Sequence, residues 1–419
     1  MTKTLVVLGQ GYVGLPLAQA AVRAGWRVFG FDVNVAVVDR LKDGHSHVDD
    51  LSDDDIAAML AAGYCATADA ALIGEADVAT ICVPTPLGDD GAPDLRAVRA
   101  SAELVGAHLK QGATVVLEST SYPGTTDGVV LPIIEAHGHA HERDFLLAFS
   151  PERVNPGFPE YGIHNTPKLV GGVSPRATDA AAAFYGSFVE TVVPLSGARE
   201  AETAKLLENT YRHVNIALVN EMAILCHELG IDIWEVIRGA ATKPFGFQAF
   251  RPGPGVGGHC IPIDPNYLGY EVRRSLGREF RFVGLAQEVN HAMPAYVVSR
   301  LAELLNDRSL PLRGTTVLVL GVTYKPDIAD QRESPALEIG QLLLDRGVDL
   351  VFHDPFVEQW HVAGTTLDRV PDPVAAAATA DAVLVLQNHR SYAMDAIVAA
   401  AKVVFDTRGV AAGSSVVRL

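Results

Sequence analysis

The sequence predicts an α/β protein in which two Rossmann-like domains, each a doubly wound parallel sheet, are joined by a long central helix. Three observations support this prediction. Short apolar β-rich runs alternate with helical patterns in the first part of the chain, and the same alternation returns towards its C-terminus. Between them lies a helical stretch of about thirty residues without proline or internal glycine. Such alternation favours parallel sheets with helices on both faces.

The first alternation opens with a strand. Its strand-like runs are Thr4–Leu8, 27–32, 78–83, 114–118 and Phe145–Phe149. Residues 15–24, between the first two runs, carry apolar residues at helical spacing, and Gly25 ends this pattern. A strand, a helix and a strand within about thirty residues predict a βαβ unit.

The long helical stretch covers residues 199–229, and Gly230 suits the position just after its last turn. One helix of this length spans about 45 Å, which is longer than a compact domain needs. We place it as the spine between two α/β domains and as the contact between subunits of a homodimer. Two shorter helices joined by a kink fit the same pattern.

The second alternation has the same architecture as the first. Its strand and helix signals lie at 315–320, Pro335–Asp345, 348–353, 382–386 and 403–405. Gly321 is followed by VTYKPD rather than by further glycines, so we do not expect a second dinucleotide site here. The predicted domains are residues 1–197, 198–305 and 306–419.

Composition excludes several classes of protein. The chain has 419 residues, 48% of them hydrophobic and 20% charged, which is typical of a globular protein of two or three domains. The net charge of −17 argues against nucleic-acid and membrane partners, because polyanions would be repelled. No apolar run reaches the roughly eighteen residues that a membrane-spanning helix needs. The N-terminus has a glycine-rich turn where a signal peptide would be apolar, so we expect a cytoplasmic protein.

The cysteines predict neither a disulfide framework nor a metal site. The chain has four, and none forms a CxxC pair: Cys65, Cys82, Cys226 and Cys260. For an isolated cysteine a buried core position is the ordinary interpretation, and we apply it to the first three.

The glycines after the first strand predict a dinucleotide site. Residues 9–14 read GQGYVG, follow a strand, open a helix and precede Asp32 at the end of the next strand. Gly9 permits a tight turn, Gly11 lets a pyrophosphate approach the backbone, and Gly14 lets the helix pack on the sheet. Asp32 can accept hydrogen bonds from ribose hydroxyls and would repel a 2′-phosphate, which favours NAD over NADP. FAD, or a turn without a ligand, would fit the same motif.

A second glycine cluster precedes Cys260. Residues 252–264 read PGPGVGGHCIPID, and only glycine lets a backbone turn this sharply or approach a ligand this closely. Nearby N–H groups can lower the pKa of the Cys260 thiol and make it nucleophilic. Asp264 follows four residues later and can act as a base or orient a water.

Further polar residues lie on the long helix and after strands. Lys205, Asn209 and Arg212 share one helix face, for which a solvated surface stripe is the ordinary interpretation. The segments VPTP at 83–86, EST at 118–120 and SPERVNPG at 150–157 follow strands, where ligands bind in open parallel sheets. Glu152 is a candidate acid or base, or a capping carboxylate. The charged segment 325–335 follows the first strand of the second module and is expected at the surface.

These motifs, in this order, resemble the nucleotide-sugar 6-dehydrogenases of the UDP-glucose/GDP-mannose dehydrogenase family over essentially the whole chain. The motifs that carry the resemblance are GQGYVGLP, VPTP, ESTSYPGTT, SPERVNPG, AETAKLLENTYR, GPGVGGHCIPIDP and YKPDIADQRESP. The resemblance implies an NAD-binding domain, a central helical dimerisation region with the cysteine loop, and a C-terminal domain that binds the UDP-sugar. It also implies a four-electron oxidation at C6 of the sugar that consumes two NAD⁺, passes through a thiohemiacetal and a thioester on Cys260, and yields a uronic acid for polysaccharide biosynthesis.

The resemblance implies a role for each motif residue. Catalytic roles fall to Cys260, Lys205, Asn209, Asp264, Glu152 and Thr120. Contacts with NAD fall to Gly9, Gly11, Tyr12, Val13, Gly14, Asp32, Thr85, Thr120, Glu152 and Arg332. Contacts with the nucleotide sugar fall to Ser150, Glu152, Arg153, Val154, Lys205, Asn209, Arg212, Phe250, Arg251, Gly257 and Lys325.

Departures from the family pattern bear on the substrate. Ile263 stands where UDP-glucose members carry a lysine, and HCIPIDP with SPERV is similar to the UDP-N-acetylhexosamine branch. The segment KPFGF at 243–247 resembles enzymes of the N-acetylglucosamine type more than those of the N-acetylmannosamine type. Val37 replaces a basic residue near the adenosine, where Arg40 can substitute. UDP- or dTDP-glucose is the alternative substrate. A two-electron β-hydroxyacid dehydrogenase and a non-catalytic sugar-nucleotide sensor are rival functions for the same motifs.

Overall fold

A computed structural model describes residues 3–48, 50–88, 92–154, 160–258 and 261–419. The chain divides into two compact units. The first comprises Met1–Glu208 and Asn266–Arg278, and the second comprises Asn209–Pro265 and Glu279–Leu419. The predicted fold class is confirmed, because each unit contains a parallel sheet flanked by helices and a long helix lies between the two alternating segments of the chain.

The first unit is built on an eight-stranded sheet. Its strands are β1 (Thr4–Leu8), β2 (Arg27–Phe31), β3 (Cys65–Thr67), β4 (Val78–Ile81), β5 (Ala113–Leu117), β6 (Phe145–Phe149), β7 (Lys168–Gly172) and β8 (Val192–Pro194). They lie in the order β3-β2-β1-β4-β5-β6-β7-β8, and the first six strands of that order are mutually parallel. All five residues of β1 are buried, as expected for a central strand covered on both faces.

One pair of strands departs from the predicted parallel sheet. Strand β7 runs antiparallel to β6, with Ala148 opposite Gly172 and Phe149 opposite Gly171. The structure describes no helix between these strands, and a parallel return would need a crossover connection.

Helices cover this sheet at the predicted places. Those before the long helix are α1 (Gly14–Arg23), α2 (Val35–Lys42), α3 (Asp53–Ala61), α4 (Arg96–His108), α5 (Leu131–Ala136) and α6 (Pro175–Tyr185). A 3₁₀ turn covers Ala70–Glu75, and a π-helical turn, Thr126–Val130, leads into α5.

The predicted long helix is confirmed as one continuous element of 31 residues, α7 (Ala198–Glu228). The alternative of two kinked helices is wrong. Gly230 takes a φ of +68°, which lets the chain turn away after the last residues of the helix. Three helices follow: α8 (Ile233–Ala241), α9 (Asp264–Leu276) and α10 (Arg281–Asn306). Among the described residues, we find no helix with both the length and the apolar character needed to cross a membrane.

The second unit contains a five-stranded parallel sheet. Its strands are β9 (Thr316–Leu320), β10 (Asp349–His353), β13 (Ala382–Val385), β14 (Val404–Asp406) and β15 (Val416–Arg418), and a separate hairpin joins β11 (Gln359–Val362) to β12 (Thr365–Asp368). The order in the sheet is β10-β9-β13-β14-β15. Helices α11 (Pro335–Asp345), α12 (Pro373–Thr379) and α13 (Met394–Ala400) complete the unit.

Two of the three cysteine predictions are confirmed and one is wrong. Cys82 and Cys226 are buried, whereas Cys65 is exposed. Cys65 begins the short strand β3 at the edge of the first sheet, where neighbours cover one side only.

Candidate functional site

The glycine turn after β1 has the geometry of a dinucleotide site. Gly9 has a φ of +94°, and a Cβ atom there would lie 2.6 Å from the carbonyl oxygen of Cys82. A Cβ atom on Gly14 would lie 1.9 Å from the carbonyl oxygen of Gly9, so only glycine lets α1 approach this closely. A Cβ atom on Gly11 would meet nothing within 4 Å, which leaves room for a phosphate beside the backbone.

The rest of this turn also fits NAD. The residue at the N-cap of α1 is Val13, whose side chain has no hydrogen-bonding atom to offer the helix N–H groups. Tyr12 and Val13 pack partly buried against the core of the first unit. Asp32 is half-buried at the end of β2, and its Oδ2 accepts a hydrogen bond from the backbone N–H of Gln10 at 2.9 Å. These residues can cradle a pyrophosphate and hold a ribose.

Sequence reasoning missed Gln10, the variable residue inside the glycine motif. Its side chain is fully buried. Its Nε2 donates to the carbonyl oxygen of Val7 at 2.8 Å, and its Oε1 accepts from the hydroxyl of Tyr64 at 2.6 Å. Burial raises the pKa of Tyr64, so this phenol stays protonated and keeps donating. These two hydrogen bonds hold the glycine turn of residues 9–14 in place.

Two threonines predicted at the cofactor lie together in the first unit. The hydroxyl of Thr85, after β4, donates to the carbonyl oxygen of Thr120, after β5, at 2.7 Å. The carbonyl oxygen of Thr85 accepts from the hydroxyl of Tyr267. Both threonines are half-buried at the carboxyl ends of neighbouring strands, which is the edge where parallel sheets bind ligands.

A buried ionic cluster lies beside this edge. Lys168, at the start of β7, places its Nζ 2.8 Å from Oε2 of Glu118 and 3.3 Å from Oε2 of Glu152. The other oxygen of Glu118 accepts from the hydroxyl of Tyr185 at 2.6 Å. The side chains of Lys168 and Glu118 are 6% and 0% exposed, so the pair is held away from water. Sequence reasoning missed Lys168 and Tyr185, because neither lies in a recognisable motif.

The cluster shifts the pKa values of its two carboxyl groups, Glu118 and Glu152, in opposite directions. Burial raises the pKa of Glu118. Burial also acts to raise the pKa of Glu152, but the Lys168 ammonium, the backbone N–H of Val154 and the Lys205 ammonium outweigh it and hold that pKa below its usual range. The pKa of Lys168 is raised: its burial acts in the opposite direction, and the two carboxylates outweigh it. Glu152 is therefore a carboxylate at neutral pH.

The SPERV segment places its four predicted residues differently. Ser150 is fully buried, and its hydroxyl donates to the carbonyl oxygen of Leu169 at 2.7 Å. Arg153 pairs with Glu208 at 2.8 Å. The carboxylate of Glu152 accepts from the backbone N–H of Val154 at 2.5 Å. Lys205 contacts this segment through its Nζ, which donates to the carbonyl oxygen of Glu152 at 2.7 Å.

The surface-stripe interpretation of α7 is wrong at Lys205. This residue is 9% exposed, whereas Asn209 is half-buried and Arg212 is exposed. A lysine this buried needs partners, and the carbonyl oxygen of Glu152 is one of them.

Glu202, one turn before Lys205 on α7, was missed by sequence reasoning. It is 1% exposed. Its Oε1 accepts from the backbone N–H and the hydroxyl of Thr126 at 2.9 and 2.6 Å, and its Oε2 accepts from the backbone N–H of Gly124 at 2.6 Å. Burial raises the pKa of Glu202 to about 7. This side chain ties the ESTSYPGTT segment to α7.

The pKa of Glu202 predicts a pH-dependent stability. The folded state holds the proton more tightly than the unfolded chain, whose pKa is 4.5, so this contribution is full below pH 4.5 and is lost as the pH rises through 7. Between pH 4.5 and 8, the free energy of unfolding of E202Q should gain up to about 3 kcal/mol relative to wild type, at about 1.4 kcal/mol per pKa unit. Urea denaturation across this range measures it. The exposed Glu200→Gln is the control, and a pH-independent difference for E202Q would contradict the assignment.

In the second unit, two of the residues with predicted catalytic roles, Asn209 and Asp264, are hydrogen-bonded to each other. The Nδ2 of Asn209 donates to Oδ2 of Asp264 at 2.5 Å, and Asp264 is 4% exposed at the start of α9. Cys260, four residues before Asp264, lies outside the described residues. Asp264 is therefore a buried side chain hydrogen-bonded to another residue for which the resemblance implies a catalytic role.

The glycines before Cys260 pack closely against other segments of the second unit. A Cβ atom on Gly257 would lie 2.5 Å from the carbonyl oxygen of Glu333, and one on Gly258 would lie 2.6 Å from the ring of Tyr324. The backbone N–H of Gly253 donates to Oδ1 of Asn220 on α7 at 3.0 Å. We predicted glycine here for close approach to a ligand or for sharp turning; the structure adds close packing on segment 324–334.

The remaining predicted substrate residues also lie in the second unit. Phe250 is half-buried and meets the ring of Tyr211 edge-on at 5.8 Å. Arg251 is exposed, and Lys325 is half-buried. Arg332, predicted at NAD, is exposed and pairs with Asp330 at 2.6 Å. The predicted charged segment is thus exposed only in part, since Ile328 and Ser334 are buried.

Comparison with known proteins identifies three matching regions. Residues 3–189 match the NAD binding domain of the UDP-glucose/GDP-mannose dehydrogenase family, residues 199–292 match its central domain, and residues 318–413 match its UDP binding domain.

Individual relatives match over most of their length. The chain is 35% identical to the UDP-N-acetyl-D-glucosamine 6-dehydrogenase of Pseudomonas aeruginosa, over 84% of this chain and 83% of that protein. The structure of the UDP-D-ManNAc dehydrogenase of Pyrococcus horikoshii has a TM-score of 0.89 and 31% identity, over 99% of this chain and 98% of that one. That of a UDP-glucose dehydrogenase from Pyrobaculum islandicum has a TM-score of 0.87 and 30% identity, over 100% and 97%.

Proposed function

The chain belongs to the UDP-glucose/GDP-mannose dehydrogenase family, whose members are NAD-dependent, and we propose that it oxidises the C6 alcohol of a nucleotide sugar to a carboxylate in two steps. The observation that carries this proposal is the 2.5 Å hydrogen bond between Asn209 and the buried Asp264, which stands four residues after Cys260 in the sequence. An alcohol dehydrogenase that stops at the aldehyde needs no further nucleophile, whereas one that continues to the acid needs a nucleophile that adds to the aldehyde, and a cysteine thiol can serve as one.

NAD⁺ supplies the hydride acceptor for both oxidations when it is bound. The chain holds it with the glycine turn of residues 9–14, and Asp32 accepts hydrogen bonds from the ribose. Thr85 and Thr120 line the ends of β4 and β5, where the nicotinamide and the substrate meet under this proposal. Arg332 is a further proposed contact.

Cys260 carries the second oxidation. Its thiol adds to the C6 aldehyde to give a thiohemiacetal, which restores a tetrahedral carbon that can release a hydride. Loss of that hydride leaves a thioester, and a water then hydrolyses it to the carboxylate and the free thiol. Lys205 and Asn209 stabilise the oxyanions that form in these steps, and Asp264 assists proton transfer.

Glu152 is the proposed base for hydrolysis. Its pKa is held below the usual range by Lys168, Val154 and Lys205, so it is ready to accept a proton at neutral pH. The bond from Lys205 to the carbonyl oxygen of Glu152 at 2.7 Å keeps the ammonium group beside this segment.

The proposed substrate is a UDP-N-acetylhexosamine of the N-acetylglucosamine type. HCIPIDP, SPERV and KPFGF support it, as does the match to the Pseudomonas aeruginosa enzyme. Arg212, Phe250, Arg251, Gly257 and Lys325 supply the proposed contacts with the nucleotide sugar. UDP- or dTDP-glucose is the alternative, supported by the likeness to the Pyrobaculum islandicum structure.

A panel of nucleotide sugars tests the function. Purified protein is offered NAD⁺ with UDP-N-acetylglucosamine, UDP-N-acetylmannosamine, UDP-glucose or dTDP-glucose, and NADH is counted per sugar consumed. We expect two NADH and a uronic acid. One NADH per sugar would leave alcohol oxidation alone, turnover of small β-hydroxyacids would support the two-electron alternative, and binding without turnover would support the sensor.

We further propose that the protein is a homodimer through α7. The helix exposes an apolar face at positions spaced by helical turns: Leu207, Tyr211, Leu218, Met222, Leu225 and Leu229. A second copy of the same helix is the proposed occupant, because the face is long, apolar and self-complementary about a two-fold axis.

Leu218→Arg should dissociate this dimer. Leu218 is 57% exposed near the middle of the face, so a buried arginine would face apolar side chains of the partner without a counter-charge. Light scattering after size exclusion should give the monomer mass for L218R and the dimer mass for wild type. Val193→Arg, on the edge strand β8, is the control for adding an arginine to an exposed apolar position. A wild-type monomer would refute the dimer outright.

A further inference from the structure

Both α/β units contain the same local arrangement at the end of their second strand. In the first unit, Oδ2 of Asp32 accepts from the backbone N–H of Gln10 at 2.9 Å. In the second unit, Oδ2 of Asp354 accepts from the backbone N–H of Val322 at 2.8 Å. Each donor directly follows a glycine with positive φ after the first strand of its sheet. The second module thus retains the aspartate of a nucleotide site without the glycine motif.

The surroundings of the two aspartates differ. Asp32 is half-buried and open to a ribose, whereas Asp354 has no exposed surface. The imidazole of His389, itself 1% exposed, takes the position beside Asp354, with its Nε2 3.0 Å from Oδ2. A side chain of the protein therefore fills the place that a ribose would take in a dinucleotide site.

His389 joins this aspartate to the segment that follows β9. Its Nδ1 accepts from the backbone N–H of Asp327 at 2.9 Å, so the ring proton is on Nε2, which donates to Asp354. The hydroxyl of Thr323 donates to the carbonyl oxygen of Lys325 at 2.9 Å. Segment 324–334 is therefore held at its start by a fully buried pair of side chains.

Backbone conformation indicates that this segment is constrained from several sides. Asp327 and Glu333 have φ values of +63° and +51°, and a residue other than glycine adopts such a backbone conformation only at a cost in free energy. Arg390, next to His389, donates through its Nε to Oδ2 of Asp327 at 2.6 Å and through its backbone N–H to Oδ1 at 2.9 Å. Left-handed conformations at two residues persist only where such contacts enforce them.

The constrained segment supports the glycines before Cys260. The carbonyl oxygen of Arg332 accepts from the backbone N–H of Gly258 at 3.2 Å. The ring of Tyr324 packs so closely that a Cβ atom on Gly258 would lie 2.6 Å from it. Gly258 is two residues before Cys260 in the sequence, so segment 324–334 contacts the last described residue before the cysteine.

We propose that His389 is a positioning residue. It uses the buried Asp354 as an anchor to hold segment 324–334, which presents Lys325 to the nucleotide sugar and supports the glycine segment before Cys260. This inference rests on the proposed function for the role of Lys325. The clasp itself, by which we mean the two hydrogen bonds that join His389 to Asp354 and to the backbone of Asp327, is a property of the fold. In the second unit, the aspartate at the position equivalent to Asp32 thus binds a side chain of the protein, His389.

His389→Gln tests the clasp, because the glutamine amide can still donate to Asp354 but has no acceptor at the place of Nδ1 for Asp327. The backbone N–H of Asp327 would then be left without its acceptor, and the free energy lost corresponds to about a tenfold change in an equilibrium constant. We expect the KM for the nucleotide sugar to rise about tenfold, more than kcat falls. Hydrogen exchange should accelerate in peptides that cover residues 323–334 and 253–258.

The controls separate positioning from folding. Tyr392→Phe removes a bond of 2.7 Å to the carbonyl oxygen of His353 beside the same imidazole, and it should leave the KM and the exchange rates unchanged. A purely structural role would lower the active fraction, and hence kcat, at unchanged KM. Should H389Q fail to fold, Thr323→Val decides, with the same changes at roughly threefold. Unchanged exchange in the folded variant would overturn the clasp, whereas a wild-type protein without nucleotide-sugar turnover would overturn only the proposed function.

Discussion

Cys260→Ala should abolish acid formation while the protein stays folded and binds NAD⁺. Without the thiol the C6 aldehyde has no protein nucleophile, so the thiohemiacetal from which the second hydride leaves does not form. Loss of a nucleophile lowers turnover on the order of 10⁴-fold or more. Mass spectrometry of the product and the ratio of NADH to sugar measure the effect. We expect no uronic acid, and at most one NADH per sugar.

Cys65→Ala is the matched control, because Cys65 is an exposed thiol on an edge strand and its loss removes the same group. It should retain two NADH per sugar. Cys82 is unsuited to this purpose, since its thiol is buried beside Glu118 and burial raises its pKa. If C260A still makes the acid at the wild-type rate, the covalent mechanism is wrong, and a hydrated aldehyde must be the species that is oxidised.

The architecture could be predicted from the sequence because it depends on the spacing of apolar residues and on the glycines and prolines that end strands and helices. Strand β1 was predicted with its observed bounds, and so was helix α11, because apolar runs bounded by glycine or proline leave little freedom. The antiparallel β7 was not predicted. Its residues, KLVGG, carry little strand signal, and no crossover helix lies in the described part of the connection that precedes it, residues 150–154 and 160–167.

The candidate site divides in the same way. Motif residues such as Asp32 and Asp264 were named from spacing alone. Lys168, Glu202 and His389 were not, since each acts through partners distant in sequence, as Lys168 does with Glu118 fifty residues away. A lone charged residue in a sequence gives no sign of burial, and burial is what gives these three their roles.

Lys168→Met should strongly destabilise the first unit. Lys168 is 4% exposed, and its Nζ lies 2.8 Å from a carboxylate of Glu118 that has no exposed surface. Methionine fills the space of the lysine stem but leaves two carboxylates, Glu118 and Glu152, without their shared cation. Removing one partner of a buried ion pair costs about 3–5 kcal/mol. Urea denaturation at pH 7 should show this loss in the free energy of unfolding.

The double variant E118Q/K168M separates charge from packing. The amide oxygen introduced by E118Q can still accept from the hydroxyl of Tyr185 at the position of the present 2.6 Å bond, and the remaining carboxylate, Glu152, keeps the attraction of the Lys205 ammonium. Its free energy of unfolding should therefore lie above that of K168M alone, because replacing a whole buried pair costs much less than breaking it. In K168M that remains folded, the pKa of Glu152 should rise, so the acid limb of the pH–rate profile moves to higher pH. A double variant as unstable as K168M would mean that the contact of the Lys168 ammonium with the ring of Tyr185, 5.1 Å from the ring centre, matters more than its pairing with Glu118.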